Sequence, residues 1–350
     1  MSASRGSVNS RTSKHTSSSR LRDVGVSDSG VSGASAKSYI TSASELATKL
    51  EEFNAWAQKA KLDPVIKTTL PNTVIFNPIR DLQAASTTIP ESPEFGFIPP
   101  TLLKWKDALC STLQQSGSKY STSHSANDDP DLPYVVNSIF RLCRNHEIAR
   151  LPINANGSEN EAGIRSPLDN FFMNICQIDS PRFRYHVEQK LKLPACMTSK
   201  AKVTMTKADG VLSVPIPGFG PYDLSPELRA AASAFVGTPE PPILMLVHCV
   251  VEFKRTDNGE NQTKMGIASA LYQKKVLGIE SQFAFGIFQI QTDFLRVVVA
   301  RWVGGKIRIY SVGTYSLRSP MSLLELYFVI LGIRQLATTY EEELFQSGPN

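Results

Sequence analysis

Along the chain, long apolar side chains recur first at helical and later at strand spacing, and the change of period divides the sequence near residue 159. Ser42-Ala43-Ser44-Glu45 has the form of a capping box, and Leu46, Leu50, Phe53 and Trp56 follow at helical intervals, which predicts a helix to about Lys61. A Pro-rich, mixed stretch to Pro100 precedes a second helix over about Thr101 to Gln115, with Leu102, Leu103, Trp105, Leu109 and Leu113 as its apolar side. The polar segment Ser116 to Pro133 reads as a linker or long loop. A third helix, about Tyr134 to Arg150, carries Val135, Val136, Ile139, Phe140 and Cys143.

Beyond residue 159 one helix, Ser166 to Ile178, leads into strand-like runs. Lys202 to Val214 reads as one or two short strands meeting at Asp209-Gly210, and Ile243 to Lys254 as a buried strand. The insert between them is rich in Pro and Gly and holds a short helix at Pro226 to Phe235. Gln262 to Leu277 is helical in pattern, with Met265, Ala268, Leu271 and Tyr272 inward. Phe283 to Gln291, Phe294 to Val303 and Lys306 to Val312 have the β-branched and aromatic content of strands, the last two joined by the turn Gly304-Gly305. Ser322 to Phe345 closes the chain as a helix. This order predicts a mixed α/β domain over 151–350 behind a helical N-terminal region, 39–150.

Composition changes the picture at the N-terminus. Residues 1–38 are Ser-rich and basic and nearly devoid of large apolar side chains, so they are expected to be a disordered tail. They hold no apolar run of the kind a signal peptide needs, and the five cysteines form no C-x-x-C pair. An intracellular protein, cytoplasmic or nuclear, is expected. The apolar stretch Leu323 to Leu336 is interrupted by Glu325 and Arg334 and falls short of the ~20 residues of a membrane span, so it reads as a core helix. A formal net charge of +5 on 350 residues is weak support for a polyanionic partner.

The candidate chemistry lies at the end of the apolar run. Glu252-Phe253-Lys254 is an E-x-K triplet, and upstream stands Asp209 in Lys207-Ala208-Asp209-Gly210. By strand alternation His248, Val250, Glu252 and Lys254 share one face and Val247, Cys249, Val251 and Phe253 the other. A hard cation such as Mg2+ or Mn2+ takes oxygen ligands, which Asp209, Glu252 and the backbone carbonyl of Phe253 would supply, with Glu161 or Glu159 as a further carboxylate. Lys254 would stand beside a metal-bound water attacking a phosphodiester in line. Alone on a strand, an E-x-K pair is more often a solvated feature, and His248, four residues back, reads as a core histidine. Lys200, Lys202, Lys207 and Arg255 are candidate contacts to a nucleic-acid backbone, with Lys264, Lys274 and Lys275 of similar standing. Trp302 and Tyr310 read as packing residues.

Helix near Glu161, strand with Asp209, strand with Glu252-Phe253-Lys254, then a helix with Gln273: in this order the segment from about 159 to 345 resembles the PD-(D/E)xK nuclease superfamily. It is also similar to the nuclease-like region that precedes the kinase in fungal-type protein kinases. The resemblance implies a restriction-endonuclease-like mixed sheet flanked by helices and a Mg2+-dependent nuclease acting on DNA or RNA. In that reading Asp209, Glu252 and Lys254 are catalytic and Gln273 supports them. The alternative it allows is a catalytically silent interaction or regulatory module related to the fungal-type kinase-associated domains. A third reading, independent of the resemblance, is that the N-terminal helices recognise a protein partner and the second half supports them. Ala208 stands where the family has a proline, and the long gap to Glu252 leaves Asp223 as a fallback ligand. The chain lacks the Gly-rich loop, H-R-D and D-F-G of a kinase.

Overall fold

The computed structural model describes residues 39–87, 89, 95–116, 131–150, 161–177, 182–217, 225–237, 243–253 and 259–347. The Ser-rich segment 1–38 lies outside them, as do Glu159, Asp223, Lys254 and Arg255. In chain order the elements are α1 (Ala43–Thr48), α2 (Leu50–Lys59), β1 (Leu62–Lys67), α3 (Asn77–Ala85), α4 (Leu103–Ser116), α5 (Leu132–Ala149) and α6 (Glu161–Gln177). They continue as β2 (Arg184–Lys192), β3 (Met205–Pro217), α7 (Pro226–Ala232), β4 (Ile243–Glu252), α8 (Glu260–Val276), β5 (Ala284–Ile290), β6 (Phe294–Val303), β7 (Lys306–Ser316) and α9 (Pro320–Ser347).

All seven strands form one mixed sheet in the order β1-β7-β6-β5-β4-β3-β2. β2, β3 and β4 run antiparallel in sequence, β5 returns parallel to β4 after the crossover through α8, and β6 and β7 continue antiparallel. The fold is α/β, with the sheet between two helical layers. On one face Leu212, Val251, Phe285 and Val297 pack with α3, α4, α5, α6 and α9. On the other, Val211, Val250, Phe288 and Ile309 pack with α1, α2 and α8.

Two strands escape the apolar pattern. β1, Leu-Asp-Pro-Val-Ile-Lys, is a short edge strand inside the region expected to be helical, and it pairs parallel to β7. β2 is the opposite edge and half exposed, so its sequence shows charges rather than an apolar run. β3 is one continuous strand, longer than the one or two short strands expected. The first expected helix is broken at Lys49, although Ser42 does cap its start, accepting from the Glu45 N–H at 3.5 Å. Gly304 and Gly305, both at positive φ, make the expected hairpin turn.

β4 departs from strict alternation. Its pairing with β3 runs Leu212↔Cys249 and then Ser213↔Val247, which leaves His248 as the extra residue of a β-bulge. Val247 and Val250 therefore point to the α8 side, whereas His248 meets the rings of Phe285 and Tyr340 on the α9 side and bonds the Ile333 carbonyl at 3.1 Å. The expected shared face of His248, Val250 and Glu252 is corrected by this bulge. His248 is a core histidine, and burial holds it neutral, its pKa well below the ordinary value.

α8 sits close against the sheet because two glycines face it. A Cβ on Gly266 would fall 2.6 Å from Val250 Cγ1, and one on Gly286 would fall 2.5 Å from Thr263 Cγ2. Trp302 and Tyr310 are packing residues as expected, the indole donating to the Leu271 carbonyl at 3.1 Å. α9 extends well past its apolar run at both ends. By length and composition it would suffice to cross a membrane, yet Leu323, Leu324, Val329, Ile330 and Ile333 lie in the core. Gly266→Ala should cost about 2 kcal/mol through this clash, more than the gain in helix propensity returns, as read by urea denaturation.

Lys264 and Lys274, expected among surface cations, are buried. Lys264 is held by Glu260 and the Pro64 carbonyl, both at 2.5 Å. Lys274 is fully enclosed, donating to the Phe283 carbonyl at 2.6 Å beneath the Tyr340 ring, and burial lowers its pKa from 10.5 to about 7. Between about pH 7 and 10 the unfolded chain therefore binds a proton that the folded chain does not, so this group's contribution to stability improves as pH rises. The stability of wild type relative to Lys274→Met should increase from pH 6.5 to 8.5. Equal slopes in paired urea melts would show that the amine does not titrate in that window.

Candidate functional site

The β3–β4 ladder ends at Gly210↔Val251, and Asp209 and Glu252 are the next residues of their strands beyond that last pair. The sequence placed these two residues 43 positions apart; the sheet brings their backbones to one end of the β3–β4 ladder. The Asp209 carboxylate is engaged on both oxygens. Oδ2 accepts the Phe253 N–H at 2.7 Å and Oδ1 accepts from Arg165 at 3.2 Å. Glu252 is fully buried, in parallel register with Phe288. Alternation therefore sets it with Val250 on the α8 side, while Asp209 reaches α6.

Arg165 is the hub of this corner and sequence reasoning missed it. From the first turns of α6 its Nε donates to Asp169 at 2.9 Å and its two other nitrogens to Asp209 and Glu188, the latter at 3.1 Å. Glu188 also accepts from Lys207 at 2.7 Å, and Asp169 accepts from the Tyr185 hydroxyl at 2.6 Å. Burial opposes the Arg165 charge, but the bonds from Asp169 and Glu188 outweigh it and raise its pKa. The Lys207 and Arg165 bonds lower that of Glu188. Burial, then the Asp169 charge, raises that of Tyr185. Three carboxylates thus face two cations before Glu252 is counted.

The backbone is strained where the network forms. Glu188 has φ of 57°, and the β2–β3 pairing passes from Val187↔Gly210 to Gln189↔Ala208 across it. A non-glycine residue there costs about 1 kcal/mol or more, and such strain gathers at sites with a special demand. Here it turns Glu188 toward Arg165. The visible signals were the Arg165/Asp169 spacing of four on a helix and Glu188 as the single acid in a basic segment.

The other expected residues lie elsewhere or outside the description. Lys254 and Arg255, the catalytic lysine and a backbone contact, fall outside the described residues, as does the Glu161 side chain. Gln273 does not support the site. β4 begins before β5 does, which leaves its Val247 N–H and Met245 carbonyl without a strand beside them; Gln273 bonds both, at 2.9 and 2.8 Å, and the Ala232 carbonyl besides. Lys200 is paired with Glu52 at 3.3 Å, Lys207 with Glu188, and Lys202 is exposed.

Among the described residues no group of three or more His, Cys, Asp or Glu side chains is placed to hold a metal ion. Mg2+ needs only one or two protein carboxylates and keeps several waters. Asp209, Glu252 and the Phe253 carbonyl fit it in kind and number, and each Asp209 oxygen keeps a second lone pair. What differs from a bare metal cradle is the Arg165 guanidinium on Asp209. No protein-family model matches the chain, and no curated protein matches it in sequence.

Removing Arg165 leaves Asp169 and Asp209 nearly buried without their cation. Arg165→Ala should lower stability by about 3 kcal/mol. Arg165→Lys should recover only part, because an ammonium cannot fork to three carboxylates. A loss below about 0.5 kcal/mol in chemical denaturation would mark the network as an ordinary surface cluster.

Proposed function

We propose that the chain is a metal-dependent phosphodiesterase of the PD-(D/E)xK kind, a nuclease with a restriction-endonuclease-like core. The observation that carries this reading is the register of Asp209 beside Glu252, with Lys254 two residues on, in a unit built as helix, three antiparallel strands, helix and parallel strand. In it Asp209, Glu252 and the Phe253 carbonyl would hold Mg2+ or Mn2+. Once bound, such an ion lowers the pKa of a water and offsets charge on the phosphate. Asp209 and Glu252 also repel the scissile phosphate, so its approach depends on cations of the chain. Lys254 supplies one at the attacked phosphate or orients the water. Arg165 donates only one long bond to Asp209 and has two other carboxylates to hold it, so giving up that bond costs little.

A second reading is favoured by Arg165 itself. A guanidinium among Asp169, Glu188 and Asp209 neutralises the corner from within, and the Asp209 and Glu252 side chains address different helical layers. On this view the chain keeps a nuclease-like core as a silent interaction module.

Cleavage of single- and double-stranded DNA and RNA with Mg2+ or Mn2+ decides between the two. Wild type should cut, and Glu252→Gln, Asp209→Asn and Lys254→Ala should each lose about 100-fold or more. Variants that cut as well as wild type would remove the catalytic assignment. A folded wild type that cuts none of the four substrates with either metal would leave the silent module.

A further inference from the structure

At the far edge of the sheet, α2, β1 and β7 enclose a cleft of about 480 Å³ lined by Lys61, Lys67, Lys306 and Arg308, with Asp63 the single carboxylate. Among the described residues none of these four cations is ion-paired, whereas Lys49, Lys104, Lys200, Lys207, Lys264 and Lys275 each hold a glutamate. Asp63 does not neutralise them; its Oδ1 accepts the Val65 N–H at 3.2 Å within its own strand. Four cations against one acid, held close together, repel one another, and that cost is offset when an anion sits among them.

The backbone is shaped to keep them there. Lys61 has φ of 56°, a conformation costly for lysine, and its carbonyl accepts the Ile307 N–H at 2.7 Å, pinning it beside Lys306. From there the parallel register runs Leu62↔Ile307 to Lys67↔Tyr310 across a bulge in β1, so the cations follow β7 for roughly 10 Å. That is a track rather than a point.

We infer that this cleft binds the phosphate backbone of a single-stranded nucleic acid. A drug-sized ligand would ask for few polar groups, whereas seven of the ten residues lining this cleft carry polar or charged side chains. A bilayer presents its charge on a plane, and this charge is recessed in a cleft. An extended strand offers successive phosphates along a line, and such contacts are sequence-independent. The cleft is also separate from the carboxylate pair. β7 runs parallel to β4 with β6 and β5 between them, Lys306 opens β7 and Glu252 closes β4, so the two lie apart across the sheet and at opposite ends of the strands. The inference therefore holds whether or not the chain cuts.

Fluorescence anisotropy with labelled oligo-dT and oligo-U, in EDTA and over a salt series, tests it without any cleavage step. Wild type should bind, with affinity falling as salt rises. The double variant Lys306→Ala, Arg308→Ala should bind at least tenfold more weakly at 0.1 M salt, with the log–log salt slope reduced by about 1.4, near 0.7 for each lost contact. Lys306→Gln with Arg308→Gln should show the same and guards against misfolding of the first variant. Lys104→Ala with Arg144→Ala, exposed on α4 and α5, should leave both quantities unchanged. Equal affinity and slope in wild type and both double variants would overturn the assignment. So would a wild type that ignores both oligonucleotides, or that sediments with anionic vesicles instead.

Discussion

A strand buried on both faces can carry a charge only where it leaves the sheet, and β4 imposes that constraint on the rest of the molecule. Leu244, Leu246, Val247 and Cys249 to Val251 enter one core or the other, and even its histidine is enclosed between rings. Covering both faces requires two helical layers, and α8 approaches near enough only because Gly266 and Gly286 leave room. The apolar strand ends at Glu252, and its antiparallel neighbour has reached Asp209 at the same level. The two residues thus stand at one level of the sheet as a consequence of register, with their side chains addressing different helical layers.

Asp209, beside the mouth of this apolar strand, is compensated by Arg165 from α6, and Lys207 pairs Glu188 in the same cluster. The arginine is suited to this because its planar fork bonds three carboxylates at once, and the Tyr185 hydroxyl completes Asp169. The left-handed Glu188 shows the chain accepting backbone strain to add an acid to this group. Structural stability alone would be served by removing acids, not adding one. Among the described residues the cluster keeps three acids for two cations, Arg165 and Lys207.

How much of this could be read from the sequence follows from how local each signal is. The Gly304-Gly305 hairpin, the Ser42 cap and the helices from 132 onward are written in adjacent residues and stand within a few positions of where periodicity put them. β1 and β2 are edges, half exposed, and β1 contains Pro64; neither has the alternation that marks a covered strand. The bulge at His248 shifts every face assignment before it by one, and nothing in a run of Leu, Met, Val and Cys reveals it. Asp209 and Glu252 could be named because carboxylates flanking apolar runs stand out. Arg165 could not be tied to them, since its role depends on where α6 crosses the sheet.

The same distinction separates the lysines. Composition treats all as equal contributors to a modest surplus of +5, but the fold divides them into three uses. Lys274 is enclosed, with its pKa near 7, and serves the backbone at Phe283. Lys200 and Lys207 are spent on glutamates, which weakens their candidacy as backbone contacts. Lys61, Lys67, Lys306 and Arg308 keep their charge uncompensated in one cleft. A net charge says little about a polyanionic partner because it does not separate cations answered within the chain from those that are not. What matters is the unanswered remainder and its arrangement, and here part of it lies in a line along the β1–β7 edge, where no single stretch of sequence gathers it.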